Sequence, residues 1–293
     1  MKRLELLIAI IILCGLSLPV QAKVVLVLWH GLQWEQLAGL NVEGPVAFGL
    51  LNTRAGGGSA PGAGYLSIGA GARAVGTSQA AAFLTQEEPG PYELNTGLKK
   101  GPIALPYIAP LLAAQNVSYT VKPGALGSAL KQAGRSSLVL GCSDTQEKVR
   151  WAPLIAMDPT GRAPFGSVGQ EILLADAGYP YGVRTNYELV AELVFAAAAD
   201  LIVVDMGDPY RLDQYSQFLL PAQQKTLSRR MAAEGRDFLE QLAAGLPEAA
   251  VIFLLSAYPA KEKAQEGLWL TPFLAIGWEG GLLSSSCPNS TAP

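Results

Sequence analysis

A chain of 293 residues with 50% hydrophobic and only 15% charged residues can bury a large core, which excludes a disordered or highly charged polymer. The net charge of -3, with Lys and Arg scattered rather than clustered, leaves no basic footprint, so nucleic acid is not an expected partner. The three cysteines lack metal-ligand spacing, which excludes a cysteine-based metal site.

Residues 1–22 combine a basic start, an apolar run from Leu6 to Leu18 and Val20-Gln21-Ala22 before Lys23. That order predicts a secretory signal peptide with a small-residue cleavage site. A second reading is an uncleaved N-terminal anchor giving membrane association, although the run is shorter than the roughly 20 residues a spanning helix needs. Either reading places the body, 23–283, on the extracytoplasmic side, followed by a flexible tail, 284–293. A cleaved leader would remove Cys14 and leave Cys142 and Cys287, which can pair or stay free.

Lys23 to Trp29, KVVLVLW, reads as a strand buried on both faces of a parallel sheet. His30-Gly31 ends it, and Leu32 to Leu40 has helical spacing. His30 therefore stands at the carboxyl end of a strand, where open α/β sheets bind ligands. Ala55 to Gly76 is a glycine-rich loop that presents Ser59, with Pro61 two residues on. Proline suits a first helical turn, so Ser59 is predicted near the positive end of the following helix, a place where a hydroxyl can face an anion.

Further along, Ile103 to Gln115 and Ala125 to Gly134 read as helices, Ser118 to Val121 as a short strand and Ser137 to Gly141 as a buried strand. The stretch 142–186 is rich in Gly, Pro and Asp and predicts an irregular insertion or lid with short hairpins. Tyr187 to Ala198 is helical. DLIVVD, Asp200 to Asp205, is a third buried strand running into Met206-Gly207-Asp208. Gln223 to Ala244 is the longest predicted helix, and its charges read as a solvated face. Ala250 to Leu255 is a fourth buried strand; Leu270 to Ile276 is a fifth, and its proline predicts an edge strand or a strand start.

The order of these pieces resembles the alkaline phosphatase superfamily, with its nucleotide pyrophosphatase, sulfatase and phosphoglycerate mutase branches. His30-Gly31-Leu32 is similar to the Asp-Gly-Leu that ends the opening strand there. Ser59-Ala60-Pro61, with Tyr65, Gly69 and Gly76, is similar to the segment carrying the nucleophilic Thr or Ser. DLIVVDMGD resembles the middle strand that bears acidic ligands, and AVIFLLSAYP with LTPFLAIG resembles the late strand and the Pro-containing segment after it. The resemblance implies a three-layer α/β/α sandwich with a mostly parallel sheet, and Ser59 at the nucleophile position. It also implies metal ions, because a serine hydroxyl needs a base or a metal to become nucleophilic.

The sequence departs from that pattern at the ligands. His30 replaces the first aspartate, and Ala257-Tyr258 replaces a late Asp-His pair. Asp205, Asp208 and Asp213 offer carboxylates, yet the histidine expected four residues on falls on Pro209 or Leu212. With a single histidine in the chain the usual two-metal site is not expected. His30, Asp205 and Asp208 are candidates for one divalent metal, zinc or manganese, and Arg73 is a candidate anion-binding residue. The family also continues into a further segment with a late histidine, which makes this either a short copy or a fragment.

Two functions follow from the resemblance. One is a domain with a degenerate metal site, non-catalytic or catalytically unassigned, that binds an anionic small molecule or supports an envelope protein. The alternative is a metal-dependent phosphoester or sulfoester hydrolase with Ser59 as nucleophile. The two part on whether His30 and the carboxylates of Asp205 or Asp208 converge, or whether those carboxylates pair with Arg211 or Arg73 instead.

Overall fold

A computed structural model describes residues 23–57, 61–115 and 120–277. In chain order its strands are β1 (Val24–Leu28), β2 (Val46–Asn52), β3 (Leu84–Thr85), β4 (Ile103–Ala104), β5 (Ser137–Leu140), β6 (Arg162–Ala163), β7 (Gly166–Ser167), β8 (Leu173–Ala175), β9 (Val183–Thr185), β10 (Leu201–Asp205), β11 (Val251–Leu255) and β12 (Leu270–Ile276). Seven of them form the central sheet in the order β2-β12-β11-β1-β10-β5-β7. β1 lies in the middle, paired in parallel with β10 on one side and β11 on the other. β5 and β7 extend the parallel ladder, and β12 alone runs antiparallel, between β11 and β2.

Helices cover both faces, which is why the central strands read as unbroken apolar runs rather than as alternating ones. Along β1 the side chains still alternate. Leu26 and Leu28 enter a core with Tyr65, Leu66 and Leu154, under the helices Pro61–Ala70 and Pro153–Ala156. Val25, Val27 and Trp29 enter the other core, with Val190, Phe238 and Leu242, under the helices Tyr187–Ala196 and Pro221–Gly245. The result is an α/β fold with a large, mostly parallel central sheet.

Several expectations need correction. Leu32 to Leu40 forms only the 3-10 turn Trp34–Leu37, stopped before Gly39, whose φ of 88° leaves the helical region. The expected helix from Ile103 starts as strand β4 and becomes helical only over Ile108–Ala113; Pro106 biases the residue before it away from the helical region. Pro272 lies inside β12, a strand that is not at the sheet edge. The ladder to β11 begins only at Phe273, so around Pro272 the strand is paired on the β2 side alone and its missing N–H is tolerated. β2 itself, which becomes the sheet edge, carried no sequence signal.

Residues 142–186 do carry a short hairpin, β8 with β9. They also supply Trp151, Leu154 and Ile155 to the core and β7 to the sheet, so the segment is built into the fold. The expected strand 118–121 falls partly, and the leader and tail wholly, outside the described residues. No helix among the described residues is long and apolar enough to cross a membrane.

Candidate functional site

The carboxyl ends of β11, β1, β10 and β5 lie side by side in that order, and the turns leaving β1 and β11, with the helix that follows β10, line a crevice. Gly31, after β1, has a φ of 65° and donates its N–H to Ser256 Oγ at 2.9 Å and to the Tyr258 carbonyl at 3.1 Å, tying the β1 turn to the β11 turn. A Cβ there would meet Ala260 at 3.0 Å, so both the backbone angle and the space call for glycine.

These ties place His30 under cover, 4% exposed. Its Nε2 lies 3.2 Å from Asp213 Oδ2, its ring meets Tyr210 edge-on at 5.1 Å, and it stacks on Tyr258 at 6.1 Å. The ring's Nδ1 is buried without a partner among the described residues. With Nε2–H donating to Asp213, Nδ1 carries the lone pair. Asp213 in turn accepts the backbone N–H of Lys261.

Asp205 closes β10 and is fully buried. Its Oδ2 accepts from the Ser143 hydroxyl at 3.0 Å and its Oδ1 from the Tyr65 hydroxyl at 3.4 Å. Burial pushes its carboxyl up to about 6, against the opposing pull of the hydrogen bonds from Ser143 and Tyr65 and of the Arg211 charge. Asp208 is engaged elsewhere. It accepts from Arg211 Nη2 at 2.7 Å and from the Thr185 N–H at 3.1 Å, fastening β9 to the helix Gly207–Tyr215. Asp208 and Asp213 are five positions apart on that helix, about 140° around its axis, so only Asp213 shares the His30 side.

The candidate metal set is thereby corrected. His30, Asp205 and Asp208 do not converge as three available ligands, because Asp208 serves an ion pair and Asp205 sits between two hydroxyl donors. Among the described residues no group of three His, Cys, Asp or Glu side chains could hold a metal ion. The donor set does not fit a zinc or manganese centre. Arg73 is also corrected. It lies beyond the end of the helix Pro61–Ala70, is exposed, and donates Nε to the Arg54 carbonyl at 3.0 Å and Nη2 to the Ala55 carbonyl at 3.3 Å, bracing the chain as it leaves β2.

Ser59 lies outside the described residues. On its far side Pro61 opens the expected helix, and a Cβ on Gly64 would stand 1.8 Å from the Ala257 carbonyl oxygen, so the first turn packs directly on the β11 turn. Sequence reasoning missed Tyr210, Ser143 and the part played by Asp213. Tyr210 and Asp213 are three apart on one helix face, a spacing that could have paired them.

Beside His30 a small crevice of about 140 Å³ is lined by Gln33, Gln36, Asp213, Ser228 and Glu262. A larger, apolar one of about 560 Å³ adjoins it at Gly31, with Trp34, Leu50, Trp269 and Leu270 in its walls.

The architecture thus defines the class, an α/β protein whose parallel strands present one polar edge. No family model matches the chain, and no curated protein does. Among solved structures the PH0037 protein from Pyrococcus horikoshii is similar, with 12% identity, 88% of this chain and 86% of that chain covered, and a TM-score of 0.43. The functional argument therefore rests on the chemistry of the site.

Proposed function

We propose that the chain is a non-catalytic extracytoplasmic domain on an alkaline-phosphatase-like scaffold, and that its role is to support a partner protein of the cell envelope. The observation that carries this reading is the engagement of the carboxylates: Asp208 with Arg211 and Thr185, Asp205 with Ser143 and Tyr65. A two-metal hydrolase needs such groups free to bind cations. An anionic small molecule fits the crevice poorly, since Asp213 and Glu262 line it and Arg73 is bound to backbone carbonyls. The export expected from the leader supplies the location.

Elemental analysis of the purified chain, with a chromogenic phosphodiester and a sulfate ester as substrates, tests the reading. Substoichiometric zinc and manganese and no turnover are expected. Stoichiometric metal that is lost in His30→Ala, together with turnover that falls in parallel, overturns it.

One observation favours a second reading, in which a metal-free hydrolase uses Ser59. The lone pair of His30 Nδ1 is unpartnered while Asp213 holds the opposite nitrogen, the arrangement by which an imidazole takes a proton from a hydroxyl. Turnover that survives chelation and is abolished in both Ser59→Ala and His30→Ala would establish it in place of the scaffold.

A further inference from the structure

The sheet ends at β2, and that edge has features that natural edges normally avoid. β2 pairs with β12 alone, so its outer row of N–H and C=O groups has no ladder among the described residues. Exposed edges are usually blunted by lysine, proline or a bulge. β2 reads VAFGLLN over Val46–Asn52, without a charge or a proline. Two of its large apolar side chains, Phe48 and Leu50, are 64% and 60% exposed. They stand on one face of the strand, opposite Leu274 and Pro272 of β12, and the half-exposed Trp34 ring lies 6.1 Å from Phe48. The face is apolar and the edge beside it is open, a combination that an uncharged strand complements.

We infer that this occupant is a second copy of the chain, paired antiparallel through β2 about a two-fold axis at Gly49. Around that axis the seven residues are self-complementary. Val46 meets Asn52 of the second copy, Ala47 meets Leu51, Phe48 meets Leu50, and Gly49 meets itself. Phe48 and Leu50 of both copies then form one apolar cluster on one face, the kind of cross-strand pairing that stabilises a sheet. Just beyond each end of the paired segment, Glu43 of one copy comes within a residue of Arg54 of the other. Both are exposed, and neither forms an ion pair among the described residues. The interface is isologous and closed, so it yields a dimer with a continuous sheet rather than a fibre. The inference is independent of the role assigned to the His30 crevice.

Gly49→Cys tests both the partner and the register. A Cβ at Gly49 meets only the Phe273 ring, at 3.7 Å, so the side chain is accommodated. The Cα atoms of the two copies' residue 49 would lie about 5 Å apart, within disulfide reach. For residue 47 the separation is about 13 Å, beyond that reach. In the full chain carrying Cys14→Ser and Cys287→Ser, the remaining thiol, Cys142, is buried and pushed up to about 12, so it does not compete.

Mild oxidation is expected to cross-link Gly49→Cys and to leave Ala47→Cys uncross-linked. Sedimentation of the unmodified chain is expected to show a dimer, and Phe48→Lys with Leu50→Lys to weaken it roughly tenfold or more while far-UV circular dichroism is unchanged. A monomer at the highest soluble concentration overturns the inference, as does a dimer that does not cross-link at 49. A chain that dimerises only after deletion of 278–293 also overturns it, since its own tail would then be the occupant.

Discussion

Arg150 and His30 are both buried at the carboxyl side of the sheet, yet they sit in opposite kinds of polar cluster. Arg150 places Nε and Nη2 on Asp144 at 3.1 and 2.9 Å, Nη1 on the Phe83 carbonyl at 3.0 Å, and both terminal nitrogens on Glu88. All of its nitrogens are used. Burial raises the Glu88 carboxyl, but the hydrogen bonds from Arg150 outweigh that and hold it down to about 2. His30 has one nitrogen on Asp213 and the other on nothing described. A closed cluster fastens the fold, whereas an open one leaves unused capacity at a surface crevice, and an aspartate takes part in both.

The sharpest way to break the contrast is to open the closed cluster. Arg150→Met leaves Asp144, 3% exposed, without its cation and leaves Glu88 with Lys148 alone, at 2.9 Å. A loss of about 3–5 kcal/mol is expected in urea unfolding; a loss under about 1 kcal/mol would show that the cluster is not the fastener described. The depressed Glu88 acid contributes stability above its unfolded value of 4.5, lost as pH falls toward 2. The Arg150 variant should therefore lose less stability on acidification than the parent.

Asp205 carries the next largest effect, with the opposite pH sign. Its carboxyl is raised from 3.8 to about 6, so the folded state holds a proton that the unfolded state has released, and stability declines as pH rises through that window. The shift corresponds to on the order of 3 kcal/mol. In Asp205→Asn the fall in melting temperature between pH 4.5 and pH 7 should largely vanish; an unchanged fall would place the titration elsewhere.

His30→Phe removes one hydrogen bond together with one unpartnered nitrogen, so stability should change by no more than about 1 kcal/mol. A several-fold larger loss would mean that Nδ1 has a partner. Smallest of all, Arg73→Ala should stay within about 0.5 kcal/mol in urea unfolding, as expected for an exposed side chain.

The frame of the fold was legible where burial was uniform. β1, β5, β10 and β11 read as apolar runs because both faces are covered, and the helix Pro221–Gly245 read from its leucine face. β2 was illegible because one of its faces is exposed at Phe48 and Leu50 and Gly49 breaks its alternation. In the site, His30 could be placed at a strand end from sequence. The fates of Asp205 and Asp208 could not, because their partners are remote in the chain: Ser143 is 62 residues from Asp205, Tyr65 is 140 residues from it, and Thr185 is 23 residues from Asp208. Which of Asp208 and Asp213 faces His30 depends on the rotation of one helix against the sheet, which a carboxylate count does not contain.

The central position of β1 also has a kinetic consequence. Its two partners, Leu201–Asp205 and Val251–Leu255, are made long after it, so this apolar strand waits unpaired while the intervening residues are synthesised. Closing loops of that length makes parallel pairing slow. Until residue 255 is available, VVLVL is an exposed, uncharged β-forming segment of the kind that aggregates. Productive pairing of the sheet's centre therefore waits until residue 255 is made, and its yield depends on whatever shields residues 24–28 in the interval.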